Sequence, residues 1–374
     1  VGIRVVVVGA GLGGLALAQG LSRQGIDVVV YERDAANGRR QGDRVQLGPT
    51  GLAGLRRVLS QELHDLCLAT ASRPLAPPRM LDQKLNPTAE NACLPREYTP
   101  ETQTYAVHRA TLREILLTGV NVRYGKEFTA YKLVGDRVKA RFEDGHEDEA
   151  DLLVGADGVG SAVRRQLLPH AEVNDAGLRL IYGRIPLHRR NELPAWVFER
   201  VFTLVRGPQA HVGLGPVILR NRPTDRLSPV DDYVACMVGT NRLPFDELRG
   251  MNGQELHHAA VSLIGDDWHR DVRCLLDRWD TESLFPLRIA SAAEVEDWST
   301  PGVTLLGDAV HAMSPTLAMG ANTALRDGAE LSHAIATSAS LREAVSRYQA
   351  RMLAYAMPLV QESRRIGRAR IGQR

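Results

Sequence analysis

The run Ile3-Arg-Val-Val-Val-Val8 leads directly into Gly9-Ala-Gly11-Leu-Gly13-Gly14, and no other feature constrains the chain as much. A β-branched run of this kind is the pattern of a strand covered on both faces, as in parallel α/β sheets. Gly9 permits a tight turn, Gly11 lets the backbone approach a pyrophosphate, and Gly14 lets a helix pack closely on the strand. Residues 15–24 carry helical apolar spacing, Gly25 supplies the stop, and residues 27–31 form a second buried strand. Glu32, with Arg33 beside it, closes that strand twenty-one residues after Gly11, where an acid can bind ribose hydroxyls. The unit predicts a dinucleotide site with phosphate on the helix N-terminus. It does not distinguish FAD from NAD.

The rest of the chain must be a soluble core of more than one domain, because 374 residues exceed the usual domain size. Hydrophobic residues at 44% and charged residues at 24% exclude disorder as the main state. Lys and Arg total 46 against 44 Asp and Glu, so no global charge calls for a nucleic acid or a membrane surface. The longest apolar runs are strand-sized, and no leader is expected before the first strand. The 4 cysteines, Cys67, Cys93, Cys236 and Cys274, show no metal-ligand spacing and are too sparse for a disulfide framework. A reducing cytoplasm is the expected setting, and no metal is expected.

Further along, residues 44–47 read as a short strand, and 51–66 and 105–117 as helices. The Pro-rich stretch 73–100 suits a lid or crossing segment. Alternating patterns at 120–124, 128–133, 137–142 and 146–150, with Gly135-Asp136 and Asp144-Gly145 turns, predict a β-meander. Residues 178–240 hold further strand-like pieces, and 254–276 looks helical. From Gly320 onward two helices are expected, ending in an arginine-rich stretch read as a solvated face and frayed tail.

Two more segments carry chemistry. Asp151-Leu-Leu-Val-Gly-Ala-Asp157-Gly158 through Ser161 reads as a buried strand, a sharp turn and a helix start. From the residues alone, a plain strand-to-helix corner capped by Ser161 is an equal reading. The third segment runs from Val303 through Gly307-Asp308 and His311 to Pro315-Thr-Leu-Ala-Met-Gly320-Ala321-Asn322. Asp308, at a strand's carboxyl end, can accept hydrogen bonds from a polyol. A helix starting near Gly320 would offer free N–H groups and its positive dipole end to a delocalised anion.

In this order and at these spacings, the three segments resemble the GxGxxG, DG and GD motifs of single-component FAD-dependent aromatic monooxygenases, the para-hydroxybenzoate hydroxylase-like enzymes. The resemblance covers nearly the whole chain. It implies an α/β fold: a Rossmann-type FAD-binding domain (1–72, 101–177 and 283–340), an inserted β-rich substrate domain (73–100 and 178–282) and a C-terminal helix (341–374). It implies one noncovalent FAD, with NADPH or NADH as a transient co-substrate. Gly9, Gly11 and Gly14 would cradle the pyrophosphate, and Glu32 and Arg33 would lie at the adenosine ribose. Arg109 matches the family arginine that approaches the cofactor, and Arg44 falls where some members place a second. Asp157 would serve FAD and the nicotinamide donor, and Asp308 the ribityl chain. The amides of Ala321 and Asn322, at the Gly320 helix start, would face the flavin N1–C2=O edge.

The implied reaction uses NAD(P)H and O2 to hydroxylate an electron-rich aromatic or polycyclic small molecule through a flavin C4a-hydroperoxide. The flavin carries that chemistry, so no catalytic side chain is singled out. Pro315, Thr316 and Met319 are expected near the flavin, in a pocket roofed by the β-rich insert. An FAD-dependent dehydrogenase or halogenase on the same fold, or a non-catalytic dinucleotide-binding protein, are the alternatives. The chain lacks the Trp-x-Trp-x-Ile-Pro string of halogenases. With one GxGxxG only, the nicotinamide donor would dock transiently. His311 and His108 read as structural, and His257-His258 lacks a third ligand.

Overall fold

Arg4–Val8 is the middle strand of a five-stranded sheet, flanked by Leu152–Gly155 and Val303–Leu305 on one side and by Asp27–Tyr31 and Val122–Arg123 on the other. Every pairing in it is parallel. Val5, Val6 and Val7 are fully buried, as a strand covered on both faces requires. This computed structural model describes residues 2–36, 43–223, 225–298 and 302–374. Helix Leu12–Arg23 follows the first strand and packs on the long helix Gly320–Thr337, which also touches Pro49–Val58.

A second, six-stranded sheet runs in the order Phe285–Ala292, Val173–Pro186, Tyr233–Thr240, Ala210–Val217, Thr203–Arg206, Arg79–Asp82. It is antiparallel except where Arg79–Asp82 pairs with Thr203–Arg206. Side chains along its strands point alternately to its two faces, and both faces of the central strands Ala210–Val217 and Tyr233–Thr240 are covered. Ile181, Ile185, Val212, Leu214, Val234, Cys236 and Val238 enter one core, together with Val272, Trp268 and Trp279 from the helical stretch that follows. Tyr182, Val217, Tyr233 and Ala235 turn the other way and pack with Ala106, Phe285, Leu287 and Met237. The Pro-rich stretch thus lends its strand to the edge of this sheet. Strand Phe285–Ala292, which the sequence reading put with the nucleotide-binding part, lies at the opposite edge.

Several local expectations are corrected. The expected 51–66 helix is two, Pro49–Val58 and Gln61–Thr70, because Ser60 caps the second through Leu63 N–H. The 105–117 stretch opens as strand Tyr105–His108, paired with Arg44–Leu47, and turns helical at Arg109 with His108 as its cap. Val122–Arg123 joins the parallel sheet, so the meander is three strands, Phe128–Val134, Arg137–Phe142 and Glu147–Ala150. Residues 254–276 form two helices, Gly253–Leu263 and Arg270–Leu276. Within the strand-like 178–240 stretch, Ala195–Phe198 is instead a 3-10 turn. The arginine-rich end is not frayed: helix Leu341–Ile371 runs through it, Gln373 is buried, and Arg374 N–H donates to Ala176 O at 2.8 Å.

Candidate active site

The glycine loop sits where the first strand meets its helix. Gly9 has φ +107°, a conformation that disfavours side chains, and its N–H donates to Tyr31 O at 2.7 Å. A Cβ on Gly14 would collide with the Gly9 carbonyl oxygen, whereas one on Gly11 would meet nothing within 4 Å. Gly11 is the helix N-cap, is extended, and has no side chain satisfying the first-turn amides. The loop therefore presents free donors and the positive helix end to open space, which fits a pyrophosphate.

Glu32 is only 6% exposed, and its carboxylate takes Ala10 N–H at 2.8 Å and Asp34 N–H at 3.0 Å. A carboxylate has about four acceptor sites, so capacity for a ribose hydroxyl remains. Arg33 pairs with Asp34 at 3.2 Å at the surface. One contributor escaped the sequence reading. Arg113 Nε donates to Ala10 O at 3.0 Å and braces the glycine loop from the helix that Arg109 begins. Its spacing of four from Arg109 was the available signal. Arg109 itself donates its N–H to Asp43 O at 2.7 Å.

Asp157 acts as a cap. Its carboxylate accepts from Ser161 Oγ at 2.5 Å, Ala162 N–H at 2.7 Å and Val163 N–H at 3.2 Å. Ser161 Oγ in turn accepts from Arg164 N–H, so the capped-corner reading of this motif is realised. The buried Arg164 guanidinium then reaches Ala309 O and Val159 O, both at 2.9 Å, and stitches the DG corner to the GD turn. Burial lowers its pKa, and the Asp157 charge opposes that shift.

The GD turn is fastened from below by Asp327, of the helix Gly320–Thr337. Its carboxylate accepts from Gly307 N–H at 2.8 Å and Tyr355 OH at 2.6 Å, and pairs with His311 Nε2 at 2.6 Å. His311 and Asp327 are both 0% exposed. Burial opposes the charged imidazole, but the charge and hydrogen bond of Asp327 outweigh it and raise the His311 pKa. His311 is thus structural. Asp308 is exposed at the turn, with Oδ1 3.9 Å from where a Gly320 Cβ would stand.

Pro315–Leu317 forms one 3-10 turn, Ala318 is left-handed at φ +53°, and Met319 caps the helix that starts at Gly320. The first helical bond is Thr323 N–H to Met319 O, so the amides of Gly320, Ala321 and Asn322 precede the ladder. No side chain caps them. The Asn322 side chain faces the other way, accepting from Gly48 N–H and donating to Gln46 O and Ala318 O, each at 2.8 Å. It locks the Arg44–Leu47 strand against the helix start. Thr316 Oγ1 donates to Ser363 O at 3.0 Å and so commits to the C-terminal helix. Arg44 leans on the six-stranded sheet, its Nη2 donating to Val201 O at 2.7 Å.

The FAD binding domain family matches residues 276–363, and the NAD(P)-binding Rossmann-like domain family matches residues 7–66. The chain is 33% identical to the dual O-methyltransferase/FAD-dependent monooxygenase elcB of Phaeosphaeria nodorum, over 91% of this chain and 41% of that protein. It spans less than half the length of the first curated relatives it matches. It is also 28% identical to 6-hydroxynicotinate 3-monooxygenase of Pseudomonas fluorescens, over 89% of this chain and 82% of that one. Among solved structures, a putative FAD containing monooxygenase from Photorhabdus luminescens superposes with a TM-score of 0.84 at 28% identity, over 99% of this chain and 98% of that one.

Proposed function

We propose that the chain is an FAD-dependent aromatic monooxygenase, and that it hydroxylates an electron-rich aromatic or polycyclic small molecule at the expense of NAD(P)H and O2. One observation carries the reading. The uncapped Gly11 helix start, the Asp308 turn and the uncapped Gly320 helix start meet at the carboxyl ends of the parallel strands, beside a second sheet.

FAD, when bound, accepts a hydride from the nicotinamide and activates oxygen for transfer to the substrate. The chain's own residues bind and orient. The amides of the glycine loop would hold the pyrophosphate, Glu32 the adenosine ribose, and Asp308 the ribityl hydroxyls. The amides of Gly320, Ala321 and Asn322 would stabilise negative charge on a ring edge facing them, aided by the helix dipole. Asp157 and Arg109 would flank this cofactor path. The six-stranded sheet would roof the ring and exclude water, with Pro315 and Met319 on the floor. Four free cysteines, two of them buried, suit the reducing cytoplasm that this proposal includes.

The purified protein should be yellow, release FAD on acid precipitation, and oxidise NAD(P)H faster when its substrate is added, with a product heavier by one oxygen. A colourless protein, or NAD(P)H oxidation that no aromatic compound stimulates or couples to oxygen gain, would end the reading.

A further inference from the structure

Resting on that reading, we infer that His211 is a specificity-determining residue, which hydrogen-bonds an uncharged hydroxyl on an otherwise flat, apolar substrate. His211 lies near the start of strand Ala210–Val217, directly opposite Gly239 of the neighbouring strand. Alternation along the strand puts His211, Gly213, Gly215 and Val217 on one face of the six-stranded sheet. That face is the one turned to the nucleotide part. A Cβ on Gly215 would stand 2.6 Å from Arg44 Nε, and Tyr233, paired with Val217, reaches Asp43 O.

The imidazole has a place made for it and no partner there. A Cβ on Gly239 would stand 2.1 Å from both Cε1 and Nε2, so the ring lies over bare backbone, where a side chain at that position would displace it. The residue is only 6% exposed. Among the described residues, no group hydrogen-bonds either ring nitrogen. Neither nitrogen is sealed from solvent, however, as Trp279 Nε1 and His311 Nδ1 are. A ring so enclosed, yet open at its nitrogens, faces a space that a polar group can enter.

Burial pushes the His211 pKa down to about 4, and no neighbouring charge opposes it, so the ring is neutral at ordinary pH. A neutral imidazole offers one N–H donor and one bare nitrogen acceptor. Such a pair answers a hydroxyl, which can give or take a hydrogen bond, and carries no charge to draw an anion. The side chains nearby on this face are apolar: Leu180 beside Gly239, with Met237 and Phe202 around Gly213. In that setting a guest's hydroxyl has few alternatives to His211, and leaving it unpaired is costly. The rival account makes His211 a packing residue, and an apolar side chain would then serve as well without selecting among guests.

The test is a titration of the FAD-loaded protein, followed by flavin fluorescence, with 2-naphthol and with 2-methylnaphthalene, in which a methyl group stands in the hydroxyl's place. Wild type should bind the naphthol about fivefold or more tighter. His211→Leu and His211→Phe should each erase or reverse that preference while retaining FAD. His211→Gln, which keeps a donor and an acceptor, should keep part of it. Equal binding of the two compounds by wild type, binding of neither, or a preference that survives in both apolar variants would overturn the inference. So would loss of FAD from both, which would make His211 a prop of the fold. Failure of the monooxygenase reading shows separately, as wild-type protein without FAD or without NAD(P)H oxidation.

Discussion

Two glycines three residues apart do different work. Gly14 has no room for a methyl group, because the Gly9 carbonyl fills the space, whereas Gly11 faces open space. Gly11→Ala should therefore fold with unchanged thermal stability yet lose FAD affinity by about one to two decades, since the methyl lies where the pyrophosphate approaches. Flavin-fluorescence titration beside a melting curve separates the two effects. A drop in melting temperature with intact FAD binding would refute the assignment. His311 supports a prediction in pH. Its folded pKa is raised above the ordinary histidine value, so its stabilising contribution is complete below about pH 6.5 and is lost as pH rises through the folded value. The melting-temperature gap between wild type and His311→Gln should accordingly shrink from pH 6 to pH 9. Asp157 and His311 also show what residue types could not reveal. That an acid at a turn caps a helix, and that a histidine pairs with an aspartate sixteen residues on, depends on tertiary placement.

The helix Gly320–Thr337 is the element on which the site depends. A Cβ on Gly328 would stand 2.6 Å from Leu17 N, and one on Gly54 would stand 2.9 Å from Leu325 O, so the neighbouring helices approach at backbone distance. Gly328→Ala should cost about 1–3 kcal/mol by overpacking and weaken FAD binding with it, read as coupled losses in chemical denaturation and flavin titration. Unchanged stability would mean the two helices are free to separate. At this scale the parallel strands were legible because burial on both faces forces near-continuous β-branched runs, as in Arg4–Val8. Helix ends were not. The break at Leu59–Ser60 and the switch at His108 are set by single capping side chains inside apolar spacing that reads as continuous. The Gly320 helix start was legible from Pro315 through Asn322, but not the left-handed Ala318 that aims it. The destination of the Asn322 side chain was equally hidden, since its partners Gly48 and Gln46 lie more than 270 positions away.

Across the molecule, nucleotide part and roof meet at polar points that include Tyr233 OH to Asp43 O, buried on its tyrosine side. Tyr233→Phe leaves that carbonyl with the Arg109 N–H alone, at a cost of about 1 kcal/mol for the lost bond, and should loosen the roof. The expected outcome is a lower melting temperature together with more NAD(P)H consumed per product formed, measured as peroxide released. Tight coupling in the variant would argue that the roof is held elsewhere. The sequence placed 73–100 with the β-rich insert, but not the pairing of Arg79–Asp82 with a strand more than a hundred residues on. The glycine contacts of the Gly320 helix have one more consequence. Its axis is gripped by backbone on two sides, and its first turn is tethered through Asn322, so it resists sliding, tilting and unwinding. The roof is held by backbone too, but only along its margins, where Arg73 N–H donates to Ile218 O, Arg220 N–H to Ala71 O and Ala292 N–H to Ala312 O. The floor is thus stiff throughout, and the roof is pinned at its seams. Differently shaped guests must then be met by side chains of the roof between those seams, while the floor stays in register.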